Sequence, residues 1–161
     1  MNPTDLDLLN ESITIAQSAR THGNHPFGAL LADKEGQILL CAENTVVTER
    51  DCTGHAETNL MRLASRQFTA AQLAQCTLYT STEPCAMCAG AIHWGGVRRV
   101  VYALSEVDLY EIVGASEEHL LLPCREVFAR TRREIQVEGP ADPLRVRARG
   151  VHAGFWRASD K

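Results

Sequence analysis

Two short runs carry residue types whose spacing could do chemistry: His55-Ala56-Glu57, and Pro84-Cys85-Ala86-Met87-Cys88 about 30 residues later. Thiolate and imidazole are the ligands that zinc takes in tetrahedral geometry. Two cysteines three apart in the first turn of a helix lie on one side of it, so both sulfurs can reach one ion. The positive end of the helix dipole lowers a thiol's pKa and favours the thiolate that binds metal. His55, opening a neighbouring helix, supplies a third ligand. Three protein ligands leave a fourth position where water can bind and become a nucleophile near neutral pH. Glu57, two residues from the histidine, can face that water, accept its proton and deliver it to a substrate and leaving group.

The two runs differ in specificity. With 6 His and 13 Glu, His-x-Glu should arise about 0.5 times by chance, whereas Pro-Cys-x-x-Cys should arise about 0.01 times. A Cys-x-x-Cys that follows a strand and opens a helix is also the thioredoxin arrangement, which needs no His-x-Glu. A structural zinc site would need a fourth protein ligand, with Cys52 the obvious candidate and Cys124 a weaker one. A non-catalytic binding module built on such a site stands as an alternative to an enzyme. The remaining cysteines, Cys41 and Cys76 among them, are expected to be small buried hydrophobes.

Several elements must position these residues. The spacing of Leu6, Leu9, Ile13 and Ala16 predicts a helix from about Thr4 to Thr21, capped by Thr4 or Asp5 and ended at Gly23. Two strands follow, about 29–32 and 38–42, joined by the hairpin signal Asp33-Lys34-Glu35-Gly36. A polar loop spans Thr45 to Gly54, and a helix spans about His55 to Ser65. Thr77 to Ser81 reads as a strand, and Pro84 suits the first turn of a helix from Cys85 to about Trp94 that Gly95-Gly96 stops. A strand over 99–103, helical segments over 106–113 and 124–131, a strand over 135–138 and a final helix over 142–158 complete the chain. This order predicts an α/β fold, a mixed sheet with helices on both faces.

The 161 residues are the size of one domain, and a chain this long buries roughly 70% of its unfolded surface without help from disulfides or metal. With 45% hydrophobic and 22% charged residues, the composition excludes disordered and collagenous classes. The longest apolar stretch, Cys85 to Ile92, is far short of the roughly 18 residues of a membrane helix. No secretory signal is visible at the N-terminus, so a reducing, cytoplasmic location is expected. The net charge of −4 argues against a dedicated polyanion binder, yet residues 125–161 hold 9 of the 16 Lys and Arg. That basic tail reads either as a phosphate contact or as the solvated face of a terminal helix.

His55-Ala56-Glu57 followed by Pro84-Cys85-Ala86-Met87-Cys88 resembles the zinc-dependent cytidine deaminase superfamily, over about residues 26–102. The resemblance implies a three-layer α/β/α fold with a central five-stranded mixed sheet. It implies one zinc per chain on His55, Cys85 and Cys88, with Glu57 shuttling protons in hydrolytic deamination. Within the superfamily the chain is similar to the purine-acting branch of bacterial guanine deaminases and tRNA-specific adenosine deaminases. In that branch an asparagine placed like Asn44 hydrogen-bonds the base, and the N–H of Ala56 would hold a ring substituent. Pro26-Phe27-Gly28, Trp94 and the C-terminal Gly154-Phe155-Trp156 are similar to guanine deaminases. There, aromatic rings stack on the substrate and the last segment, here about 140–161, closes over a site or is exchanged between subunits.

After Tyr102 the likeness drifts. Glu117 and Glu118 are then the nearest equivalents of the acidic residues that read a purine's N–H groups, and the arginine-rich tail has no counterpart. The resemblance therefore implies a purine base or nucleoside such as guanine as substrate. A tRNA adenosine or a cytosine- or s-triazine-type ring is the alternative. It further implies a homodimer, with no membrane and no obligatory nucleic-acid partner.

Overall fold

The computed structural model describes residues 1–114, 116–117 and 119–156. Its centre is one mixed sheet of five strands in the order β2-β1-β3-β4-β5: β1 (Gly28–Ala32), β2 (Ile38–Glu43), β3 (Thr77–Thr82), β4 (Arg99–Leu104) and β5 (Gln136–Glu138). β1 runs antiparallel to β2 and β3, whereas β3, β4 and β5 are parallel to one another. Parallel neighbours need a crossover, and the helix α5 (Ala86–Gly95) provides it between β3 and β4.

Every residue of β1 and β3 is buried, so the central strands are covered on both faces. Side chains alternate between two hydrophobic layers. Leu31, Leu78, Val100 and Tyr102 pack against Leu60 and Ala64 of α3 (Ala56–Gln67), Ala89 and Ile92 of α5, and Phe128 of α7 (Cys124–Ala129). Leu30, Tyr79, Val101 and Ala103 pack against Leu9, Ile13 and Ala16 of α1 (Pro3–Thr21), Leu109 of α6 (Glu106–Val113) and Val151 of α8 (Arg145–His152). The expected three-layer α/β/α arrangement is therefore the one observed. Gly28 is required where α1 crosses β1: a Cβ there would lie 2.5 Å from Ala16 N and 2.6 Å from Ser12 O. No helix among the described residues is long and apolar enough to cross a membrane.

Several local expectations are corrected. The cap of α1 is Asn2, not Thr4 or Asp5; Asn2 and Asp5 exchange side-chain-to-backbone hydrogen bonds of 2.9 and 2.7 Å. Pro84 lies two residues before the first residue of α5, because Cys85 keeps an extended backbone and serves as its cap. A short helix, α2 (Val46–Glu49), interrupts the stretch read as a polar loop, and another, α4 (Ala70–Leu73), lies between the helix and strand expected on either side of it. The last helix is shorter than expected: Asp142–Leu144 is a 3₁₀ turn around Pro143, and the chain breaks after His152 towards Gly154, which has φ +69°. Cys41 is exposed rather than buried, because β2 is an edge strand, and Cys52 is exposed in the loop before α3.

The basic tail is largely occupied within the fold. Arg145 and Arg149 both pair with buried Asp108, Arg149 reaches Glu111, and Arg147 donates to Thr14. Arg125 donates to the carbonyls of Val137 and Gly139, and Arg133 to that of His93.

At the opposite edge of the same layer, Asp5 is buried and collects hydrogen bonds from Arg99 (2.8 and 3.0 Å) and the Tyr79 hydroxyl (2.7 Å). Burial alone would raise its pKa, but the hydrogen bonds from Arg99, Asn2 and Tyr79, with the Arg99 charge, outweigh it and hold the group at about 2. Because the folded pKa lies below the ordinary 3.8, the stabilisation is complete above that pH and fades as pH falls through about 2. Asp5→Asn should therefore lower the unfolding free energy at neutral pH by about 2 kcal/mol. In urea titrations, the gap between wild type and variant should narrow steadily on acidification below about pH 4. A gap independent of pH would contradict this account.

Candidate active site

α3 and α5 lie side by side on one face of the sheet, and their N-terminal ends carry the two motifs. His55 is the cap residue of α3 and Cys85 that of α5, both with extended backbone, so each side chain projects from a helix end. Cys88 sits in the first turn of α5. His55 Nδ1 is 3.5 Å from Cys85 Sγ and 3.6 Å from Cys88 Sγ, and all three donor atoms lie within 4.8 Å of one another. Donors at ordinary zinc bond lengths on a tetrahedron stand about 3.5–3.8 Å apart, so the set fits that ion. Among the described residues no fourth His, Cys, Asp or Glu joins the group. Cys52 lines the cleft outside it, and Cys124 Sγ donates to Glu83 Oε1 at 3.4 Å.

The electrostatics favour an anion at Cys85. A hydrogen bond from Cys88, together with His55, overcomes burial and brings Cys85 down to about 4. The hydrogen bond with Cys85 raises the His55 pKa against burial, and the Cys88 thiol, donor to Cys85 and buried, is pushed up. Glu57 is only 4% exposed. Its Oε1 accepts from the Thr80 hydroxyl at 2.7 Å, and its Oε2 faces Cys88 Sγ at 3.4 Å. Burial raises the Glu57 pKa above the usual carboxylate range.

These groups open onto a cleft of about 650 Å³. Its aromatic wall holds Phe27, His25, Tyr110, His119 and Trp156. The Trp156 ring centre is 5.2 Å from that of His25 and 6.0 Å from that of Phe27. The Trp156 indole N–H donates to Nδ1 of the buried His152 at 3.3 Å, and burial drives the His152 pKa down to about 4, so the ring is a neutral acceptor at pH 7. Tyr110 and His119 stack with centroids 3.8 Å apart. Two further carboxylates line the cleft. Glu106 Oε1 accepts from the Tyr110 hydroxyl at 2.7 Å, and Glu83 Oε2 accepts from the Glu106 backbone N–H at 3.2 Å.

The structure brings His55, Glu57, Cys85, Cys88 and Phe27 together at this cleft. Ala56 is buried between the ligand and Glu57 as the first residue of α3. Asn44 is buried; its Oδ1 accepts from Val46 N–H at 3.1 Å, and its Nδ2 has no hydrogen-bond partner. Trp94 does not join them: it is 80% exposed and six residues along α5 from Cys88, about 9 Å from the ligand end. Glu117 is exposed and does not line the cleft, and Glu118 lies outside the described residues. The cleft's carboxylates are instead Glu83 and Glu106, which follow β3 and β4. Their place at the carboxyl ends of parallel strands, where ligands bind in open α/β sheets, is the signal that could have found them.

The cytidine and deoxycytidylate deaminase zinc-binding region model matches residues 3–104. A "Probable cytosine deaminase" of Schizosaccharomyces pombe is 39% identical over 158 residues, covering 97% of this chain and 94% of that one. The guanine deaminase of Bacillus subtilis is 41% identical over 104 residues, 64% of this chain and 66% of that one. The solved guanine deaminase of Nitrosomonas europaea superposes with a TM-score of 0.72 at 26% identity, over 94% of this chain and 85% of that one. With the ligand triad, the buried glutamate and the sheet all in place, the chain belongs to the cytidine and deoxycytidylate deaminase zinc-binding family.

Proposed function

We propose that this protein is a zinc-dependent aminohydrolase of free nucleobases, replacing a ring amino group by a carbonyl with release of ammonia. The observation that carries this reading is a buried carboxylate, Glu57, directly beside a three-donor zinc set at the base of a cleft. Zinc held by His55, Cys85 and Cys88 supplies Lewis acidity that makes water nucleophilic near neutral pH. Glu57 takes one proton from the attacking water and gives it to the ring nitrogen, then takes the hydroxyl proton of the adduct as the carbonyl forms and gives it to the departing amine. The free Nδ2 of Asn44 and the Ala56 N–H, unpaired at a helix start, hold the ring. Phe27 and Trp156 flank its faces, and Glu106 accepts a ring N–H.

A free base suits this site better than tRNA, because aromatic side chains crowd the cleft and most of the tail's arginines serve the fold. Among bases, the exposure of Glu117 removes the support that guanine drew from it. Likeness to the cytosine-type relative extends through the segment that supplies Trp156, which favours cytosine. Guanine is the second reading, favoured by the two cleft carboxylates, which could accept its additional N–H groups. A homodimer would give exposed Trp94 a partner surface.

An ammonia-release screen over cytosine, guanine, adenine and an adenosine-containing tRNA stem-loop tests the reading; release from the stem-loop alone would refute it. Glu57→Gln should keep its zinc, measured by mass spectrometry, while kcat falls by about 10³-fold. Full activity in that variant would remove the proton-shuttle role. Glu106→Gln should leave zinc content unchanged and reduce kcat/KM for the preferred base by about 10-fold or more, since a site built to accept an N–H loses its discrimination with the acceptor. An unchanged ratio between cytosine and guanine would show that Glu106 does not read the substrate.

A further inference from the structure

We propose that Thr80 is a positioning residue that fixes the orientation of the Glu57 carboxyl group; the inference rests on the reading of Glu57 as proton carrier. Thr80 is fully buried in β3, the middle strand of the sheet, paired to Ala29 on one side and Tyr102 on the other. Its side chain therefore has a fixed base in the most constrained part of the fold. Two oxygens lie within its reach: Glu57 Oε1 at 2.7 Å and the Gly28 carbonyl at 3.4 Å. A hydroxyl carries one proton. The shorter contact has the length expected of a charge-assisted O–H···O bond, and the longer exceeds the ordinary range.

A Thr80 hydroxyl that donates to Oε1 ties that oxygen to the middle strand of the sheet and fixes the plane of the carboxyl group. Oε2 is thereby turned towards the three-donor set, where it accepts from Cys88 Sγ at 3.4 Å. Held in that plane, the carboxyl group presents the same oxygen to the attacking water and to the ring, with no rotation between them. The Thr80 bond thus orients the carboxyl plane through both halves of the transfer, while Thr80 itself never touches the substrate.

Thr80→Val removes the hydroxyl at nearly constant size, and Thr80→Ser keeps it. For the base that the screen identifies, Thr80→Val should lower kcat by about 10- to 100-fold, the worth of one hydrogen bond to a charged group. KM should stay within about threefold, zinc content should stay at the wild-type value, and Thr80→Ser should recover kcat to within about threefold. Crystal structures of both variants provide a readout free of activity. The Glu57 carboxyl should be rotated or split between orientations in Thr80→Val and in its wild-type place in Thr80→Ser. Wild-type kcat in Thr80→Val, a deficit that serine does not restore, or an unmoved Glu57 in Thr80→Val would each overturn the proposal. If the wild-type protein releases ammonia from no base, the functional reading fails, and the Glu57 position in the two variants still decides the role of Thr80.

Discussion

The site depends on the abutment of two helix N-termini. α3 and α5 present their positive ends to the same small volume, an arrangement that negative charge between them stabilises. The sequence puts part of that charge on a helix end itself, the Cys85 sulfur, brought down to about 4. A divalent cation held by His55, Cys85 and Cys88 would draw the proton from the Cys88 thiol as well, so that two thiolates would balance it. The helix ends thus favour the anions, the anions favour the cation, and the sheet beneath fixes the distance at which this balance holds.

What could be read from the sequence was what is local. His55, Glu57, Cys85 and Cys88 were legible because each motif occupies a single helical turn, where spacing alone dictates which side chains share a side. The sheet was legible in the same way, since β1 and β4 are short apolar runs and β3 is rich in β-forming Thr and Tyr. The parts that escaped are assembled across the chain. Thr80 looks like any strand threonine until β3 is set beneath α3, and Glu83 and Glu106 meet only because β3 and β4 end side by side. Trp94 misled for the same reason: its distance from Cys88 in sequence says nothing about the turn of helix that carries it to the surface.

The charge of the C-terminal third illustrates a second limit. Nine Lys and Arg against five Asp and Glu in residues 125–161 read either as a phosphate contact or as the solvated face of a terminal helix. The acceptors for many of them turn out to be internal. Asp108, buried at the first turn of α6, draws in Arg145 and Arg149, and Arg125 ties α7 to the carbonyls around β5. A composition tally cannot reveal such pairings, because donor and acceptor lie 12 to 41 positions apart.

The sheet also separates two kinds of residue. The ligand set and Glu57 hang from helices on one side, whereas His152, Trp156 and Tyr110 come from α8, its C-terminal extension and α6 on the other. The donor set and much of the aromatic wall therefore come from different layers of the molecule and meet at the strand ends. Packing changes around α6 and α8 can reshape that wall while the helices that carry the donor set keep their places.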